Sequence, residues 1–238
     1  MFQCIDAAKI RGKLIENEFV FVTLITSKAE YDDHLQSLFE NGFSEKNCSF
    51  VFFDNRKENA NDPFESFNRV LNFIHAKYVV FVHQDTRFIF DSFKDLKCKL
   101  EELSDLDPNW AVAGNAGGNY DLQKKFIRIT EPANKNLKTA SLPHRVHSLD
   151  ENLLILRKSS LVAFSNDLHG FHFYGTDLCQ QAESRGYSCY VIDFHLEHLS
   201  SGNKGKLFDQ ARTRFIEKYQ SKLQTRFIRM TTGRICLS

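Results

Sequence analysis

The run Tyr78-Val-Val-Phe-Val82 sets five apolar residues in succession and then breaks at His83, Gln84 and Asp85. An unbroken run of β-branched and aromatic residues suits a strand covered on both faces, and such strands belong to parallel sheets layered between helices. In open α/β sheets ligands sit beyond the carboxyl ends of the strands. The His-Gln-Asp turn is therefore a candidate site, with Asp85 suited to a metal ion or a phosphate. The plainer alternative is that Asp85 caps the segment that follows.

Two similar runs come earlier. Residues 19–26 read as the opening core strand, and Ser27-x-x-Glu30 has the pattern of a capping box for a helix over about 29–40, closed by Gly42. Residues 48–53 form a second buried strand ending in Asp54 and Asn55. Asp62-Pro63 then marks a helix start, with Phe64, Phe67, Val70, Leu71 and Ile74 at helical spacing. This β-α-β-α-β order predicts right-handed crossovers and a parallel sheet. Further on, the pattern predicts helices over about 91–103, 176–185 and 207–219. It predicts strands over 110–113, 152–156 and 187–192. Between them lie a glycine-rich loop at 114–118 and an irregular excursion over 120–147 carrying a short hairpin around 126–129.

At 238 residues the chain can bury one substantial α/β core. Its 31 basic residues nearly balance 30 acidic ones, which leaves no basic field for nucleic acid and requires any phosphate site to be local. The 23 phenylalanines fall within the periodic segments, as core residues do. Six cysteines without a Cys-x-x-Cys pair read as free thiols. Asp6, Lys9, Arg11 and Lys13 interrupt any signal-like start, and no apolar stretch is long enough to span a bilayer. A cytoplasmic, soluble protein is expected, with peripheral association at the inner membrane face compatible with it. Gly114-x-x-Gly117-Gly118 follows several β-α units and opens no helix, so it is a poor dinucleotide fingerprint; Walker A, G-x-S-x-G and His-Glu-x-x-His motifs are absent. In 193–202, strand alternation puts His195 and Glu197 on one side and Phe194, Leu196 and His198 on the other, so these ligands cannot all face one ion.

Several pieces in collinear order carry a family resemblance. They are Val22-Thr23, Phe53-Asp54, Phe67-Asn68-Arg69, His83-Gln84-Asp85, Ala113-Gly114, Leu149-Asp150, Gly170-Phe-His-Phe-Tyr174 with Asp177-Leu178-Cys179, and His198 through Gly202. Spread over about 19–219, they make the chain resemble the nucleotide-sugar glycosyltransferases of the GT-A fold, particularly the family-2-like group named for a streptomycin-biosynthesis protein. The resemblance implies an α/β fold, a Rossmann-like α/β/α sandwich with a mostly parallel central sheet. It also implies one domain over 1–238, with a nucleotide-binding half at about 19–118 and an acceptor and donor-sugar half at about 119–220. The implied activity is transfer of a sugar from a nucleoside diphosphate, most commonly UDP, to a saccharide or lipid-linked acceptor in polysaccharide biosynthesis.

By the same resemblance, Thr23, Asp54, Asn68, His83, Gln84 and Asp150 would line the donor site, and Asp85 with His198 would hold Mn²⁺ or Mg²⁺. His83 stands where the family's Asp-x-Asp motif has its first acid. Asn68 reads equally as an ordinary polar residue on a helix. Relatives place a general base two residues before the Asp-Leu-Cys element, yet this chain has Gly175 there. The base is then Asp177 through a shifted turn, or His172. Otherwise the domain is catalytically impaired and serves as a nucleotide- or glycan-binding partner module. Asp177 also suits a helix's first turn for purely structural reasons. Glu151 follows Asp150 where relatives often have glycine. Family analogy, with no evident nucleophile pair, predicts inversion at the anomeric carbon.

Overall fold

A computed structural model describes residues 2–12, 14–120, 124–132, 135–139, 141–200, 205–220, 226–229 and 234–237. The chain divides into two compact units, Met1–Gly202 and Asn203–Ser238. The first contains, in order, β1 (Cys4–Asp6), β2 (Ile15–Ile25), α1 (Lys28–Glu40), β3 (Cys48–Asp54), α2 (Pro63–Leu71), β4 (Ile74–Val82), β5 (Thr86–Arg87), α3 (Phe93–Leu106) and β6 (Trp110–Gly114). It continues with β7 (Ala116–Gly118), β8 (Lys125–Glu131), β9 (Lys135–Lys138), β10 (His144–Val146), β11 (Ser148–Leu149), β12 (Leu153–Arg157), α4 (Tyr174–Ser184), β13 (Ser188–Val191) and β14 (Leu196–His198). The second unit has α5 (Lys206–Gln220) and an antiparallel hairpin of β15 (Arg226–Arg229) with β16 (Arg234–Leu237).

The central sheet has eight strands in the order β1-β3-β2-β4-β12-β6-β13-β10. Its first four strands are mutually parallel, as the apolar runs predict. β12 runs antiparallel to both β4 and β6, a reversal that the sequence pattern does not reveal. β13 is parallel to β6, and β10 closes the edge antiparallel.

Both faces of this sheet are covered. On one side Phe19 and Phe21 of β2, with Tyr78, Val80 and Val82 of β4, join a buried cluster that includes Phe43, Phe50, Phe88 and Phe93. There Phe43 meets Phe21, Phe88 and Phe93 edge-on, with centroids 5.3–5.6 Å apart. Phe81 points the other way, stacks on Phe67 of α2 at 4.4 Å, and meets Phe164 edge-on at 5.1 Å. The high phenylalanine content thus builds two aromatic layers, in which each such pair adds about 0.5–1.5 kcal/mol beyond area burial.

The helices begin where side chains satisfy their free N–H groups. Asp62 accepts from Phe64 N (2.9 Å), with Pro63 at the first helical position of α2. α3 starts later than expected because Ser92 and Asp95 form a reciprocal capping box. At α1 only half of the expected box exists: Ser27 caps Glu30 N, while the Glu30 carboxylate accepts from Gln84 instead.

Part of the region read as irregular is a second sheet, in the order β11-β7-β8-β14-β5, with β9 paired to β8. The expected hairpin is its β8–β9 pair. The glycine-rich segment is strand β7. A Cβ at Gly117 would lie 2.3 Å from Ser148 O, so glycine there permits close strand packing.

Candidate active site

Strand pairing assembles the site. β4 delivers His83, Gln84 and Asp85 beyond its carboxyl end, and His83 is pinned by His83 N donating to Asn152 O (3.1 Å) and by Thr86 Oγ1 donating to His83 O (2.9 Å). β14 pairs antiparallel with β5, setting His198 opposite Thr86, and Leu199 N donates to Asp85 O (3.0 Å). His198 thereby reaches Asp85 from the second sheet.

The result is a trio. Asp85 Oδ1 lies 3.4 Å from His198 Nε2 and 3.8 Å from His83 Nδ1. One ligand atom from each of the three residues lies within 4.8 Å of the others. Side-chain exposure is 39% for His83, 21% for Asp85 and 11% for His198, so the trio can be reached from solvent. Burial works to raise the Asp85 pKa, but the His198 hydrogen bond and the charges of both imidazoles override it and hold the carboxyl well below its usual range. Desolvation lowers the His83 pKa, against the pull of Asp85. For His198 desolvation also lowers it, yet the bond and charge of Asp85 win and the value is raised.

The outer nitrogen of His83 is fixed as well. Its Nε2 lies 2.8 Å from the Tyr174 hydroxyl, which also reaches Glu151 O at 3.4 Å. Tyr174 is buried among Phe64, Phe67 and Phe164, so its ring stands in one aromatic layer while its hydroxyl faces the site. Such an outer partner sets the tautomer and ring orientation of an imidazole that ligates metal. Asp150 stands nearby: its charge raises the pKa of His83, His198 and Tyr174, and its Oδ1 accepts from Asn152 Nδ2 (2.7 Å). His172 is half-buried, with its pKa lowered by desolvation, and its charge is felt at His83.

Other expected site residues have different work. Gln84 Oε1 accepts from Thr26 N (2.8 Å) and Ser27 N (3.1 Å), and its Nε2 donates to Thr26 Oγ1 and Glu30 Oε2, so it ties β4 to the start of α1. Asn68 grips the backbone of Phe164 at both ends of its amide, donating to the carbonyl at 2.8 Å and accepting from the N–H at 2.9 Å. It anchors the loop ahead of α4. Thr23 is 1% exposed within β2, and the exposed threonine at that strand end is Thr26. Asp54 does reach the rim, at the end of β3, but it is clasped by Arg56 through Nε (2.9 Å) and Nη2 (2.7 Å), which with the Arg56 N–H holds its pKa at about 2.

Asp177, expected as a base, lies inside the fold. It is fully buried, with Ser165 Oγ donating to Oδ1 (2.5 Å) and Ser165 N to Oδ2 (2.8 Å). An acid so placed holds a loop; it cannot meet an acceptor hydroxyl. Gly175 cannot carry a side chain either, since its Cβ would lie 2.4 Å from Leu149 O. Ser201 and Gly202 of the His198–Gly202 element lie outside the described residues.

Tyr174 and Glu151, which no sequence motif singles out as site residues, stand beside the trio, and His83, expected at the donor, lies within it. The alternation that parted His195 from His198 holds: His195 Nε2 pairs with Thr130 Oγ1 (2.8 Å), and its ring stacks on Phe90.

No family model matches the chain. A curated relative, "ATP synthase subunits region ORF 6" from Fuscovulum blasticum, is 34% identical over 224 residues, spanning 92% of this chain and 90% of the relative. The chain belongs to the ATP synthase subunits region ORF 6 family. Among solved structures, S. aureus TarS matches 87% of this chain with 13% identity and a TM-score of 0.55. TarS 1-349 in complex with UDP-GlcNAc matches 82% with 14% identity and a TM-score of 0.53. The chain spans only 40% and 61% of those TarS chains. These likenesses carry the fold, and the GT-A architecture read from the sequence is the one observed.

Proposed function

We propose that this family member is a metal-dependent, inverting glycosyltransferase that moves a sugar from a nucleoside diphosphate, UDP in the first instance, to a saccharide or lipid-linked acceptor. The observation that carries this reading is the His83–Asp85–His198 trio at the carboxyl end of a central parallel strand, where doubly wound sheets bind phosphorylated ligands. The relation to a fold solved with UDP-GlcNAc supports the choice of donor.

The donor set tests the implied cation. Two imidazoles and one carboxylate suit Mn²⁺ better than Mg²⁺, which prefers oxygen ligands throughout. Held by His83, Asp85 and His198, a divalent ion supplies Lewis-acid neutralisation of a diphosphate leaving group. Tyr174 fixes the orientation of His83, and Asp54 at the end of β3 would meet the nucleoside once Arg56 swings aside. Asp150 would contact the donor sugar or the acceptor. We assign the protein to the cytoplasm with peripheral attachment at the inner membrane face, where lipid-linked acceptors sit; among the described residues no helix is long and apolar enough to cross a bilayer.

Thermal-shift titration with UDP and Mn²⁺, followed by assay of UDP release from UDP-sugars, tests the proposal. Joint stabilisation with turnover supports it. Stabilisation without turnover favours the partner-module alternative, which the empty side-chain position at Gly175 also suits, and no stabilisation defeats both the transferase and a nucleotide-binding module.

A further inference from the structure

Neither Asp177 nor position 175 can present a carboxylate to an acceptor, yet a carboxylate does stand in front of Gly175. Glu151, in the turn between β11 and β12, accepts from Gly175 N through Oε1 (3.4 Å), and the Phe173 N–H also bonds it. Those N–H groups belong to the N-terminal turn of α4, the positive end of the helix dipole. Phe173 holds a left-handed backbone (φ 67°), a conformation that costs a non-glycine residue about 1–3 kcal/mol and tends to persist where a site uses it. The same Glu151 supplies its main-chain carbonyl to the Tyr174 hydroxyl that orients His83, which places its backbone two hydrogen bonds from the trio. It is half-buried, so it remains open to a ligand.

We propose that Glu151 is the general base of the glycosyl transfer, a carboxylate brought in by the β11–β12 turn to the place in front of α4 where the helix itself has no room for one. The proposal rests on the transferase reading above. In the step, an acceptor hydroxyl oxygen forms the new bond to the anomeric carbon and the bond from that carbon to the diphosphate oxygen breaks. The electron pair leaves with the nucleoside diphosphate, and the hydroxyl proton passes to the Glu151 carboxylate. Burial, aided by the charge of Asp150, pushes the Glu151 pKa up to about 8 against the backbone N–H groups of Gly175, Phe173 and Glu151 itself, which makes its carboxylate a stronger base than an exposed one. The neighbouring candidates are less suited. Asp150 is exposed, with Oδ1 already held by Asn152 N and Nδ2, and His172 belongs to the loop ahead of α4.

The test compares wild type with Glu151→Gln, Glu151→Asp and His172→Gln, using Mn²⁺ with UDP for binding and UDP-GlcNAc, UDP-glucose or UDP-galactose for UDP release to water. Glu151→Gln should bind UDP with Mn²⁺ within about twofold of wild type while UDP release falls by roughly 10²–10⁴-fold. Glu151→Asp should retain part of the rate, which a merely structural role would not require. UDP release by Glu151→Gln within about threefold of wild type overturns the inference, as does a loss of turnover confined to His172→Gln. A wild-type chain that binds UDP with Mn²⁺ but releases none from any donor also overturns it, while sparing the binding site. Failure of wild type to bind UDP at all overturns the transferase reading instead.

Discussion

Asp85 offers the only negative charge in its trio, so Asp85→Ala should abolish Mn²⁺-dependent stabilisation by UDP while leaving the fold intact, as a thermal-shift titration would show. Asp177 should behave in the opposite way. Its two bonds to Ser165 are buried and charge-assisted, so Asp177→Ala should cost about 3 kcal/mol in urea denaturation while UDP release per folded molecule stays near wild type. His34 makes a pH prediction. It is buried in α1 against Thr86, to whose carbonyl its Nδ1 lies at 3.0 Å, and desolvation lowers its pKa to about 4. The unfolded chain takes up the proton near pH 6.5, and the folded chain does so only near pH 4. Stability from this group is therefore complete above about 6.5 and is lost as pH falls toward 4, on the order of 3 kcal/mol in all. In His34→Gln the pH dependence of unfolding over that window should shrink by about one proton. Within the candidate site, Asp85 is legible as a strand-end acid and His198 through the family resemblance. Glu151 is not, since only folding brings its carboxylate to the amide of Gly175.

Among the elements, α4 is tightly constrained at its start. Gly175 passes so close to β11 that any side chain meets the Leu149 carbonyl. Gly175→Ala should therefore destabilise by about 1–3 kcal/mol, and Gly175→Asp should do the same without gaining activity. A Gly175→Asp variant as stable as wild type would show that the helix can shift outward. The parallel strands β2, β3 and β4 could be read from sequence because burial on both faces leaves continuous apolar runs. The second sheet could not: β8 and β9 mix Lys125, Arg128, Lys135 and Lys138 with apolar residues, a composition typical of loops. β12 was recognised as a strand, but nothing in its five residues encodes direction; only its two neighbours set it antiparallel.

For the whole molecule, a ligand that binds only the folded state stabilises it by mass action. On the proposed function, UDP with Mn²⁺ at about one hundred times the dissociation constant should add about 2.7 kcal/mol, a rise in melting temperature of roughly 5–10 °C for a chain of this size, and EDTA should reverse it. The overall architecture was legible because the order of buried strands and capped helices leaves few ways to close a doubly wound sheet. The trio's third member was harder to place, since it depends on a short pairing between β14 and β5 that carries His198 to the end of β4. That pairing has a mechanical consequence. A cation gripped there would rivet one sheet to the other, so ion loading should slow amide exchange at residues 196–198 and 86–87 far more than in the hairpin of β8 and β9. The loss of that local protection would then be the earliest sign of the ion's departure.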